Sequence, residues 1–201
     1  IARTLAAEPG VILYDEPLGS LDPNRREGLR TLIRDIATRE GRATLYVTHD
    51  AEEALELGDE IAVLADGALV ARATPDALYR MPPSLLAARA LGPVTALPVR
   101  AEGSQLQSAL GVVVPAHPVD DLSGGDPNAG LIALLRPEHV IPAPNGTLAR
   151  VESTRPAGPG WRFRARVGEH GVLGESPDAL EVGSDVTIRL HGTPAVVPIE
   201  R

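Results

Sequence analysis

The run Val11-Ile12-Leu13-Tyr14 is preceded by Pro9-Gly10 and followed at once by Asp15-Glu16. A continuous apolar run of this length predicts a strand buried on both faces, as in parallel sheets whose two sides are covered. What comes next constrains the fold further. Asp22-Pro23 reads as a helix start, with Asp22 as N-cap and the proline at the first helical position. Leu29, Leu32, Ile33, Ile36 and Ala37 then recur at helical spacing, and Glu40-Gly41 closes that helix. Ala43 to Val47 is a second apolar strand, and it delivers Thr48 and His49 to the edge that already holds Asp15 and Glu16. In open α/β sheets the carboxyl ends of the strands are where ligands bind, so both acids and the histidine stand where chemistry is expected.

Asp50 to Leu55 predicts a short helix, and Asp66-Gly67 predicts a hairpin turn between Ile61–Leu64 and Ala68–Ala71. Pro75 to Arg80 reads as another short helix. Met81-Pro82-Pro83, a helical stretch to Leu91 and Gly92-Pro93 mark a domain boundary, giving an α/β domain over 1–91 and a second domain over 92–201. Beyond the boundary the texture changes to short strands separated by Gly and Pro. They are expected around Leu97–Arg100, Gly111–Val114, Leu131–Leu135, Ala149–Ser153, Trp161–Val167, Val186–Leu190 and Ala195–Val197, a spacing that suits a small all-β barrel or sandwich.

Composition excludes several classes. The net charge is -8 and both halves are acidic, so neither has the basic excess that drives nucleic-acid binding. There is no cysteine, which removes disulfides and thiolate metal sites. His49, His117, His139, His170 and His191 show no metal-ligand spacing. No apolar run approaches the length of a membrane span.

Tyr14-Asp15-Glu16-Pro17, Ser20-Leu21-Asp22 and Thr48-His49-Asp50, in this order and spacing, resemble the second half of an ABC transporter ATPase. That resemblance implies a partial P-loop NTPase (RecA-like) parallel-sheet domain. It matches Asp15 to the Walker B aspartate, holding Mg²⁺ through water, and Glu16 to the catalytic glutamate, the general base for the attacking water. It matches His49 to the switch histidine on the γ-phosphate, and Ser20 and Asp22, as nucleotide-site residues, to the D-loop that crosses the dimer interface to the partner's P-loop. ATP and Mg²⁺ are the implied cofactors.

The glycine-rich lysine loop that cradles phosphates needs G-x-x-x-x-G-K-[ST], yet the chain has no lysine, its cations all being arginine. Ile1 to Ala6 is similar to the helix that follows the family's signature motif. The chain is therefore expected to be the C-terminal part of an ATPase and to turn over no ATP by itself. Leu122-Ser123-Gly124-Gly125-Asp126 spells most of that signature but lies far downstream, before Pro127-Asn128, and reads as a loop.

Leu135-Arg136-Pro137-Glu138-His139 resembles the R-P-E motif of the TOBE domain, an OB-like β-barrel carried by importer ATPases. The resemblance implies an energy-coupling subunit at the cytoplasmic face of the membrane. Its implied partners are a second ATPase subunit in a homodimer, transmembrane permease subunits and an extracytoplasmic solute-binding protein. The tail looks most like the ferric-iron type, with spermidine, sulfate, thiamine and sugar importers sharing most features. Two other readings remain: a non-catalytic regulatory module whose β tail binds an effector, and a soluble ATPase of DNA repair or translation, which the acidic charge disfavours.

Individually these signals have plainer explanations. An acidic pair after a strand also serves capping, Asp22 has work as an N-cap, and a lone histidine is more often structural than catalytic. Arg162, Arg164 and Arg166 alternate with Trp161, Phe163, Ala165 and Val167, which predicts a solvated arginine face over an apolar one.

Overall fold

The computed structural model describes residues 10–19, 21–102, 105–117 and 130–199. Strands outnumber helices among them, and the chain forms two compact units, Ile1–Leu78 and Tyr79–Arg201.

In the first unit β1 (Val11–Asp15) and β2 (Ala43–Val47) pair in parallel, with Val11 opposite Ala43 and Asp15 opposite Val47. Helix α1 (Pro23–Glu40) connects them. The Asp22 side chain accepts from the Arg25 backbone N–H at its start. Gly41 ends it at φ 59, a left-handed cap that glycine adopts without a Cβ penalty. Ile12, Tyr14, Leu18 and Ile33 form a core, with Leu21, Leu29, Tyr46 and Leu57 packed against it. Each such fully buried side chain contributes about 1.5–3 kcal/mol over leaving it in water.

Burial on both faces does not hold. Val11 is 58% exposed, Leu13 69%, Leu45 59% and Val47 48%. The helix covers one side of the pair, and among the described residues no second layer covers the other. Leu32 likewise lies outward on α1, at 45% exposure. A continuous apolar run records what a strand is suited to bury; it does not supply the layer that buries it.

Helix α2 (Ala51–Leu57) is capped by the Asp50 carboxylate, which accepts from Glu52 and Glu53 N–H. Strands β3 (Ile61–Ala65) and β4 (Ala68–Ala73) form the expected antiparallel hairpin. Asp66 and Gly67 at its turn take φ of 49 and 77, the two positive values of a tight hairpin loop. Helix α3 (Pro75–Arg80) carries the division between the units.

The second unit starts earlier than Leu91. Helix α4 (Leu85–Ala90) belongs to it, and Ala88 is fully buried against Ile132, Leu134, Ala195 and Val197. Among the described residues nine strands follow: β5 (Thr95–Glu102), β6 (Gln105–Ser108), β7 (Gly111–Val113), β8 (Leu131–Leu135), β9 (Val140–Ala157), β10 (Gly160–Val167), β11 (His170–Ser176), β12 (Asp185–Leu190) and β13 (Ala195–Pro198). They make a four-stranded sheet in the order β11-β10-β9-β12 and a five-stranded sheet in the order β13-β8-β5-β6-β7. Leu97, Leu135 and Val196 from the second sheet share one core with Val140, Phe163, Val172 and Ile188 from the first. Two sheets thus share one core in this half, for which the sequence suggested a small all-β barrel or sandwich.

Two strands, β6 and β11, and the first half of β9 were not anticipated. Pro142 and Pro144 disguise β9, since proline cannot donate to a ladder. The pairing with β12 shifts register between Thr187 and Ile188, next to Ile188 opposite Pro142, and this irregularity accommodates the proline.

Candidate functional site

Strands β1 and β2 end together, and their ends carry the site. Asp15 closes β1 and is exposed. Glu16 follows at φ 43, a left-handed conformation that a non-glycine residue holds at a cost of about 1–3 kcal/mol. Two backbone bonds hold it there: Glu16 N–H donates to Val47 O at 2.9 Å, and Gly19 N–H donates to Glu16 O at 3.2 Å. His49 Nδ1 then lies 3.1 Å from Glu16 Oε1, although the two residues are far apart in sequence.

The His49 and Glu16 side chains are 76% and 52% exposed. A pair so open to water adds little to stability, so fold maintenance does not account for the strained backbone that forms it. Nδ1–H donation to the carboxylate leaves Nε2 to meet another group, and the carboxylate keeps lone pairs for a water. Asp22 is engaged as the α1 N-cap and in an ion pair with Arg25 at 3.2 Å. Ser20 lies outside the described residues.

Sequence reading missed two residues behind this pair. Glu53, 2% exposed on α2, accepts from Tyr46 Oη at 2.9 Å and from Thr48 Oγ1 at 2.7 Å, and Thr48 Oγ1 accepts from Asp50 N–H at 3.0 Å. This buried carboxylate fixes the segment that presents His49. Burial first, and the Glu53 carboxylate second, push the Tyr46 phenol far above its ordinary range. Arg26 is the other: its guanidinium reaches the turn after Glu16 and approaches Asp50. Its signal in the sequence was a cation in a helix's first turn, where the dipole disfavours positive charge.

In the second unit the Leu135–His139 motif is a buried knot. Arg136, 3% exposed, donates through Nη1 to the carbonyls of Ala88 at 3.0 Å, Gly92 at 3.2 Å and Pro93 at 3.3 Å. Its guanidinium also stacks 4.3 Å over the Tyr79 ring. Tyr79 Oη donates to Glu138 Oε1 at 3.0 Å, and Arg136 N–H donates to His139 Nδ1 at 3.1 Å. Burial, followed by the Glu138 charge, pushes the Tyr79 phenol up to about 12. Burial holds the His139 imidazole below its ordinary value.

On β10 Arg164 and Arg166 are exposed as expected, whereas the Arg162 side chain is only 25% exposed. Arg162 pairs with Glu175 at 2.9 Å and Arg166 with Glu152 at 2.6 Å, while Phe163, Ala165 and Val167 are buried on the other side. Residues 122–126 lie outside the described residues. Among the described residues no three His, Asp or Glu side chains gather as a metal site, and no helix is long and apolar enough to cross a membrane.

No family model matches the chain. Over 174 residues it is 42% identical to the sulfate/thiosulfate import ATP-binding protein CysA of Xylella fastidiosa strain Temecula1, covering 85% of this chain and 47% of that protein. It is 37% identical over 173 residues to sulfate/thiosulfate import ATP-binding protein CysA 2 of Chromobacterium violaceum, covering 83% of this chain and 46% of that one. It is also 37% identical over 143 residues to the Fe(3+) ions import ATP-binding protein FbpC of Photobacterium profundum, covering 70% and 39%. The chain thus spans less than half the length of these curated relatives.

Proposed function

Because this chain belongs, over most of its length, with the ATP-binding subunits of ABC importers, we propose that the intact protein hydrolyses ATP to drive solute uptake. In this reading the first unit is the Walker B to switch-histidine part of a P-loop domain, and the second is an OB-like TOBE domain. The observation that carries it is the Glu16–His49 pair, 3.1 Å apart at the shared end of two parallel strands.

Glu16 is the general base. Its carboxylate takes the proton of a water whose oxygen attacks the γ-phosphorus, and ADP departs. In its doubly protonated form His49 orients Glu16 through Nδ1–H and donates through Nε2–H to the γ-phosphate. Asp15 offers one exposed carboxylate with no protein cage around it. That donor set fits Mg²⁺, which keeps several waters and is bound by one or two carboxylates plus substrate phosphates. The ion would neutralise phosphate charge. Ser20 and Asp22 are the residues proposed to face a second copy, and permease subunits and a solute-binding protein complete the assembly. The relatives are named for sulfate/thiosulfate and for Fe(3+), so the proposed solute is an inorganic ion, ferric iron being the reading drawn from the tail.

In the intact protein assembled with its permease, Glu16→Gln should leave ATP binding and dimerisation while abolishing phosphate release. Retained hydrolysis would remove Glu16 from the role of base. A second reading, effector binding by the Tyr79–Arg201 unit, is favoured by a groove of about 300 Å³ lined by Ile141, Pro159, Trp161, Glu175 and Pro177. Titrating sulfate or ferric citrate without nucleotide, and following Trp161 fluorescence, tests it.

A further inference from the structure

Arg25 and Arg26 stand in the first turn of α1, which holds no acid to offset them. Cations there oppose the helix dipole, so each calls for compensation. Arg25 finds it locally, at Asp22. Arg26 does not. Its Nε donates to Leu21 O at 3.0 Å, one Nη donates to Gly19 O at 3.3 Å, and the other Nη lies 3.8 Å from Asp50 Oδ2.

The two carbonyls belong to the turn that leaves Glu16, and Asp50 is the residue that follows His49. One planar guanidinium therefore spans both arms of the site. Its fork geometry combines two directed hydrogen bonds with an ion pair, which a single ammonium could not span. The Arg26 and Asp50 side chains are only 32% and 31% exposed, so their attraction is less screened than that of a surface pair.

Resting on the proposed ATPase reading, we propose that Arg26 is a positioning residue that sets the Glu16–His49 geometry by tying the carbonyls of Gly19 and Leu21 to Asp50. It acts through the placement of Glu16 and His49. Losing the tie lets the two arms drift, and small misplacements of reacting groups cost about tenfold to a hundredfold in rate.

The test uses the intact protein with its permease, measuring ATP hydrolysis over a range of ATP concentrations. Arg26→Gln should lower kcat by about tenfold or more while KM stays within about twofold. Asp50→Asn keeps a competent N-cap and removes only the charge, so it should lower kcat by a few fold without shifting the melting temperature. The double variant should be no slower than Arg26→Gln alone, since both substitutions break one tie.

Multiplying effects in the double variant, a rise in KM with kcat intact, or wild-type kcat in both single variants would each overturn the inference. Asp50→Asn decides the matter alone if Arg26→Gln does not fold. Glu16→Gln is run beside them. Hydrolysis surviving in Glu16→Gln overturns the proposed function, whereas its loss there combined with unaffected Arg26 variants overturns only the positioning role.

Discussion

The Glu16–His49 pair of the first unit and the Arg136–Tyr79–Glu138–His139 cluster of the second use the same kinds of side chain in opposite ways. At the first site a histidine and a carboxylate meet in water, on a backbone turned to positive φ, and bond to little else. In the second, every group is turned inward: the guanidinium meets four carbonyls, that of Tyr79 among them, and a ring, the phenol meets a carboxylate, and the imidazole meets a backbone N–H. Charge in the interior must be fully satisfied and then maintains the fold; charge left in water maintains almost nothing and stays available for a substrate. The R-P-E motif, which resembles a family signature as strongly as the acidic pair does, acts as a structural knot.

That contrast can be broken by experiment. The chain has one tryptophan, Trp161, in the second unit, so its fluorescence follows the unfolding of that unit. The largest expected effect is Arg136→Ala, which strands the carbonyls of Ala88, Gly92 and Pro93; urea melts should lose about 3 kcal/mol or more. A loss under about 1 kcal/mol would show that the knot is not structural. Tyr79→Phe removes only the donor to Glu138 and should cost about 1–2 kcal/mol by the same melts.

Smaller still is a pH effect from His139. Its folded pKa is depressed, so the unfolded chain takes up the proton first. Stability of the second unit should therefore fall as pH drops below the ordinary histidine value of 6.5 and level off below the folded pKa. His139→Asn, which still offers an acceptor to Arg136 N–H, should flatten that dependence; an unchanged slope would assign it to another group. The smallest effect sharpens the comparison. Glu16→Gln and His49→Ala should move the melting temperature of the chain, read by circular dichroism, by no more than about 0.5 kcal/mol of stability equivalent.

What could be read in advance follows the same division between local and distant causes. Asp22 as a cap, Gly41 as a stop and Asp66-Gly67 as a hairpin were legible because each is decided within a few residues. Glu16 and His49 were legible through their order after two apolar strands. Arg26 and Glu53 were not, because their partners come from other elements, and nothing in a neighbouring sequence window marks a guanidinium that spans two loops. Strand β11 was hidden by Gly174, whose missing Cβ makes room for the Phe163 ring and Val140 O. A glycine required by close approach across a sheet looks, in sequence, like a break. The bare face of β1 and β2 shows the converse error, an apolar run read as though its cover came with it.

The position of β13 also matters for how the second unit is made. It pairs with β8, Ala195 opposite Leu134 and Val197 opposite Ile132, and Ala195, Val196 and Val197 are almost wholly buried. Strand β8 also pairs with β5, so the five-stranded sheet joins segments from both ends of the unit. Such long-range pairing must close large loops before it gains any contact energy, and it is slow. On the ribosome, the edge of β8 and the core beneath it must therefore wait until residues near 198 have left the exit tunnel. Refolding of this unit is expected to lag behind the β3–β4 hairpin, whose strands are joined by two residues.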